Sequence, residues 1–265
     1  KYIRYLSCPF FFIFGFILIY KIKLLTKLSS TELVTIYFYH SLLCIIYYYF
    51  SINNFNDSVY YFRNVLHIDH QNYNFKFGTP FIQSFIKLLV LNLNISLLPL
   101  FLIFNIIGSL GLILIFNAFK KIIHHGLYEK FIILFLCFLP SIYFWSSSVG
   151  KEPFTYLATG LLLNSFNNKK INYLFIILAF FLLLSVRPFM AGFLVIAVSL
   201  GLVLKPNKYL KFTIVFIISF LIFFINFVIN YLKNLNINIF YDFNGFISFI
   251  SKRKSDTYAN QFTDM

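Results

Sequence analysis

The apolar residues of this chain come in blocks of about 15 to 24, cut by short polar stretches. A block of that length with few charges reads as a helix able to cross a bilayer, because about 20 residues rising 1.5 Å each span the hydrocarbon layer. A membrane barrel would instead alternate apolar and polar residues over segments of about 10, and no such alternation is present. Charged residues make up 11% of the chain, against about 25% in soluble domains. The fold class that follows is an all-α, polytopic transmembrane helical bundle.

Eight apolar helical segments are readable: Tyr5 to Tyr20, Leu33 to Phe50, Ile95 to Phe116, Phe131 to Trp145, Phe154 to Phe166, Ile171 to Val186, Phe189 to Leu204 and Phe212 to Leu232. They form a helical domain over 1–232. Residues 51–80 read as an outer polar loop carrying Asp57, Arg63, His67, Asp69 and His70. Residues 81–94 read as an interfacial helix, with Phe81, Phe85, Leu88 and Leu89 on one face and Gln83 and Lys87 on the other. A polar tail, 233–265, closes the chain. Lys1 in place of a methionine and the polar end at Met265 read as a piece of a longer parent chain, with no cleavable signal peptide.

The formal net charge is +14. It does not point to nucleic acid, because the lysines lie in short loops between apolar runs and not on one soluble face. The 22 Lys and Arg residues split evenly between the two sets of loops that eight crossings create. One set, Lys21 to Lys27, Lys120 to Lys130, Lys169-Lys170 and Lys205 to Lys211, packs its charges against helix ends. Basic residues so placed mark the cytoplasmic side. The other set, which includes the 51–80 loop and the turns at Gly150-Lys151-Glu152-Pro153 and Arg187-Pro188, then faces outward. Pro188 breaks the helix there, since a proline cannot continue a helix interior.

The runs on either side of these two turns hold only about 13 to 16 residues, enough for roughly 20 to 24 Å. Anchored by lysines at one surface, they leave both turns short of the other. Irregular backbone at that depth needs protein or a water-filled cavity around it, and ionisable residues there mark function. Lys151, Glu152 and Arg187 are accordingly expected on the floor of an outward-facing polar cavity. Plainer readings stand beside this one. Glu152-Pro153 suits an ordinary helix start, Arg187 suits an interfacial anchor, and Asp57 suits a solvated loop acid. His40 reads as a packed, hydrogen-bonded histidine. Cys8, Cys44 and Cys137 lack metal spacing and read as small apolar residues. No metal site and no cofactor is assigned; Asp57 and Asp69 in one loop leave a divalent metal open.

Three stretches, "NDSVYYFRN" (Asn56 to Asn64), "LPSIYFWSSSVGKEPFTYLATGLLL" (Leu139 to Leu163) and "SVRPFMAGFL" (Ser185 to Leu194), resemble bacterial membrane proteins of surface-polysaccharide and O-antigen gene clusters. Those proteins look similar to the GT-C superfamily of glycosyltransferases that use lipid-linked sugars. The resemblance implies that Asp57 matches the outer-loop acid that assists the acceptor, and that Lys151 and Arg187 match basic residues near the lipid phosphate. Glu152 stands where an aspartate is expected, and Phe189 where a histidine is expected.

The function implied is a glycosyltransferase acting on polyprenyl-phosphate-linked sugars at the outer face of a bacterial inner membrane, with a glycan acceptor and the bilayer as partners. Asp57 and Glu152 are its candidate catalytic acids; Glu152 either orients Lys151 or serves as a second acid. Lys151 and Arg187 are the candidate phosphate ligands. A polysaccharide polymerase or ligase, or a non-enzymatic transporter or flippase, are the alternatives. The absence of a P-loop or a dinucleotide fingerprint speaks against a nucleotide-dependent enzyme.

Overall fold

A computed structural model describes residues 2–54, 56–67, 77–122, 138–166 and 172–194. The described residues are all-helical, without a strand. The chain divides into two compact units, Lys1–Ala191 and Gly192–Met265. The boundary falls ahead of residue 232, where the sequence reading ended the helical domain. The last apolar run and the 233–265 tail lie outside the described residues, as do Asp69, His70, Cys137, Lys169 and Lys170.

The helices of the first unit are α1 (Tyr2–Ile22), α2 (Ser30–Asn53), α3 (Asp57–His67), α4 (Thr79–Lys87), α5 (Leu97–Ile122), α6 (Pro140–Ser146), α7 (Glu152–Phe166) and α8 (Tyr173–Val186). Local chemistry sets their ends. Ser29 caps α2 through a capping box: its hydroxyl accepts from Glu32 N–H, and Glu32 Oε2 accepts from Ser29 N–H at 2.6 Å. Prolines stand in the first turns of α4, α6 and α7, where the missing N–H costs nothing. Gly78, at φ 90°, admits the chain to α4. The Asn172 side chain caps α8.

Two of these helices, Ser30–Asn53 and Leu97–Lys121, are long and apolar enough to cross a membrane. α5 is the central post, packed against α1, α2, α6 and α7, and α7 also carries α8. The basic ends meet on one side: Lys120 Nζ bonds Glu32 at 2.7 Å, and Lys27 N–H donates to Asn117 Oδ1 at 2.8 Å. The opposite side collects the C-terminus of α2, the N-termini of α3 and α7, and the C-terminus of α8. Gly78 N–H donates to Ser185 O there at 2.8 Å, joining the entrance of α4 to the end of α8. One core cluster fills each half. Ile19, Leu33, Tyr37, Ile113 and Phe116 lie toward the lysines, whereas Tyr47, Tyr61, Phe101, Phe104 and Phe154 lie toward the other side.

The expected break at Arg187-Pro188 is present. α8 stops at Val186, Arg187 takes φ −140° and ψ 77°, and helical backbone resumes at Pro188. α7 and α8 have 15 and 14 residues, the short lengths read from the sequence. Two readings need correction. The stretch taken as loop, 51–80, contains α3, which buries Ser58, Val59, Tyr61 and Val65. The helix expected over 81–94 is present for most of that length, as α4 continued by a π-helical turn, Leu88–Asn92, with an irregular exit through Asn94 at φ 51°. The second correction concerns the faces of this helix: Lys87, assigned to the wet one, is buried and Leu88 is exposed.

Candidate functional site

The segment that delivers the charges is the exit from α6. Ser146, Ser147 and Ser148 are all buried, and their hydroxyls donate back to the carbonyls of Tyr143, Phe144 and Trp145. These local bonds satisfy hydroxyls of a tight turn from within it, and His40 of α2 reaches Ser146 Oγ from outside. Val149 is buried behind them in the same core as Phe154 and Val186. The turn is thereby fastened on both sides, and Gly150 then releases the chain into Lys151 and Glu152. Phe154, just inside α7, is wedged edge-on among Phe81, Phe85 and Phe104, which fixes the first turn of that helix.

Glu152 and Arg187 meet. The Glu152 Oε1 accepts a charge-assisted hydrogen bond from Arg187 Nη2, and each side chain is about one-third exposed. The pair joins the start of α7 to the end of α8. The structure thus assigns Glu152 a partner in Arg187, where the sequence reading had it orient Lys151 or stand as a second acid. The neighbouring donor of the same guanidinium edge, Arg187 Nε–H, is buried and has no hydrogen-bond partner among the described residues. Lys151 is half-buried at the bend, and its carbonyl accepts from both the N–H and the hydroxyl of Thr155.

Asp57 is exposed in the first turn of α3. Tyr61, one turn further along the same face, is buried and connects it to the other charges. Burial pushes the Tyr61 phenol up to about 12, and the carboxylates of Asp57 and Glu152 add to the rise while a bond with Thr79 opposes it. Both acids therefore lie within electrostatic reach of one ring. A Cβ on Gly150 would lie 3.9 Å from Tyr61 Cε2, so the same ring also rests beside the turn. Sequence reasoning missed Tyr61, although its spacing from Asp57 places the two on one helical face.

A recess among the described residues lies elsewhere. An open groove of about 870 Å³ runs along α2, lined by Phe12, Phe38, Leu42, Ile45, Ile46 and Phe138 among others. It is apolar and contains none of the four predicted residues. It is not the polar cavity expected above Lys151 and Arg187.

His40 is packed and hydrogen-bonded, as expected from the sequence. Its Nδ1 bonds Asn105 Oδ1, its Nε2 lies 2.8 Å from Ser146 Oγ, and Asn105 Nδ2 donates to Ser41 Oγ at 2.9 Å. All four residues are buried. The network ties α2 and α5 to the last residue of α6, and through it to the turn that carries Lys151 and Glu152. Among the described residues no group of three His, Cys, Asp or Glu side chains is placed to hold a metal ion.

No family model, no curated protein and no solved structure matches this chain.

Proposed function

We propose that this chain is a multi-pass membrane protein of about eight helical segments that transfers sugars from a polyprenyl-phosphate carrier during surface-polysaccharide synthesis. The observation that carries the reading is the Glu152–Arg187 pair at the adjoining ends of two helices too short to cross a bilayer alone. Ionisable side chains recessed in a membrane are costly and are retained for function. The large apolar side chains left exposed on α1, α2 and α8, such as Phe14, Phe38, Ile45, Ile177 and Phe181, support a lipid environment, since soluble surfaces rarely carry such faces.

In this reading Arg187 and Lys151 hold the carrier phosphate and stabilise the charge that develops on it as the glycosidic bond breaks. Arg supplies a planar fork that suits phosphate oxygens. Asp57, the exposed acid at the same end of the bundle, accepts the proton of the acceptor hydroxyl. The site faces the exterior, because the clustered lysines occupy the other side.

The test is carried out in cells whose surface glycan depends on this chain. Asp57→Asn and Arg187→Ala are expected to abolish the glycan and to leave the lipid-linked sugar unconsumed, with normal protein in the membrane. Unchanged glycan in Asp57→Asn at normal protein level removes Asp57 as the proton acceptor. Unchanged glycan in both variants removes the glycosyltransferase reading.

A further inference from the structure

An arginine presents its strongest anion-binding edge through Nε–H and the Nη2–H beside it, two parallel donors that match two oxygens of one phosphate. In this chain that edge is used by halves. Glu152 Oε1 takes Nη2, and Nε–H is buried beside it without a hydrogen-bond partner among the described residues. A buried donor without an acceptor carries a desolvation cost that an arriving oxyanion recovers. The backbone at Arg187 is held from both sides. Its N–H donates to Leu183 O at 2.7 Å and its carbonyl accepts from Ala191 N–H at 3.2 Å, so the side chain is projected from a fixed break between helices. Glu152 is seated just as firmly, between the fastened serine turn and the wedged Phe154.

We infer that Glu152 is an internal competitor for the oxyanion site of Arg187: a phosphate monoester binds the Nε/Nη2 edge side-on by displacing the Glu152 carboxylate. This rests on the reading of Arg187 as a phosphate ligand and reverses the role of Glu152 within it. The carboxylate holds the guanidinium in place in the unliganded protein and lowers its attraction for anions. A phosphate carries more negative charge than a carboxylate and makes both bonds at once, so it wins the exchange. The part-exposed setting of the pair keeps the exchange inexpensive, because such ion pairs contribute little net stability.

The experiment measures binding of farnesyl monophosphate, inorganic phosphate and uncharged farnesol to the full chain in nanodiscs. It compares wild type, Glu152→Gln, Arg187→Lys and the double variant. Glu152→Gln is expected to tighten farnesyl phosphate about three- to fivefold, the range that release of a part-exposed ion pair supplies. Arg187→Lys, which keeps the charge and loses the fork, is expected to weaken it and to erase the gain from Glu152→Gln in the double variant. Farnesol binding stays unchanged throughout. Equal tightening of inorganic phosphate marks the headgroup alone as the ligand, and tightening of farnesyl phosphate only marks a lipid phosphate; both support the exchange. Weaker or unaltered farnesyl phosphate binding in Glu152→Gln overturns it, as does a gain that survives Arg187→Lys. Either failure leaves the glycosyltransferase reading to the separate glycan measurement with Asp57→Asn and Arg187→Ala.

Discussion

Gly160 and Gly111 bring α7 and α5 into backbone contact: a methyl group on Gly160 would lie 2.6 Å from the Gly111 carbonyl oxygen. A Cβ on Gly111 would in turn run into the backbone of Tyr156 and Leu157. The obstacles are main-chain atoms, which cannot rotate away as a side chain can. In lipid, helices associate through this kind of close approach, because there is no hydrophobic gain in pressing one apolar helix on another. Gly160→Ala is therefore expected to destabilise the bundle by about 1–3 kcal/mol, the usual cost of overpacking. Thermal unfolding in detergent checks this, and a melting temperature equal to wild type would mean that α5 and α7 do not touch there.

The network of His40, Asn105, Ser41 and Ser146 predicts a characteristic pattern of mutational costs. His40→Leu leaves Asn105 Oδ1 without its partner in a buried site and takes from Ser146 Oγ one of two contacts, the other being the Tyr143 carbonyl, and is expected to cost about 1–2 kcal/mol. Asn105→Leu takes one partner from His40, which keeps Ser146 Oγ, and one from Ser41. The double variant, with both polar partners replaced by apolar ones, is expected to lose less than the sum of the two. A double-mutant cycle by chemical denaturation reads the difference; strict additivity would show that His40 and Asn105 do not interact.

The meeting of the two charged turns was legible in the sequence, because short apolar runs of matched length bring their far ends to one level. The partner of Glu152 was not. Lys151 lies next to it in the chain, yet Glu152 at the start of α7 bonds across to Arg187 at the end of α8, a contact between residues 35 apart that no local spacing reveals. α3 escaped notice because its run of Asn, Asp, Tyr and Arg has the composition of a loop. Only the spacing of Ser58, Tyr61 and Val65 marks one buried face. The burial of Lys87 was equally hidden, since the spacing of Phe81, Phe85, Leu88 and Leu89 puts it on the wet side and nothing in its own chemistry marks it as buried.

Orientation gives a third prediction. Asn54 and Lys120 are exposed at opposite ends of the bundle, and the proposed orientation, read from the dense lysines, has the Lys120 end in the cytoplasm. In a chain with Cys8, Cys44 and Cys137 replaced by alanine, Asn54→Cys is expected to react with a membrane-impermeant maleimide in intact spheroplasts. Lys120→Cys is expected to react only after permeabilisation. The reverse pattern would put Asp57, Glu152 and Arg187 on the cytoplasmic side and remove the exterior site.

At the lysine end, two contacts of Glu32 differ sharply in expected worth. Its ion pair with Lys120 joins side chains that are 42% and 39% exposed, so water and salt screen most of the attraction. Its capping box with Ser29 satisfies backbone N–H groups that α2 cannot satisfy itself. Lys120→Ala is accordingly expected to change stability by no more than about 0.5 kcal/mol, a difference that fades as salt rises. Ser29→Ala is expected to cost about 1 kcal/mol at any ionic strength. Thermal unfolding at low and high salt separates them. A salt-sensitive loss in Lys120→Ala larger than that of Ser29→Ala would mean that the ion pair, and not the cap, holds α2 against α5 at this end.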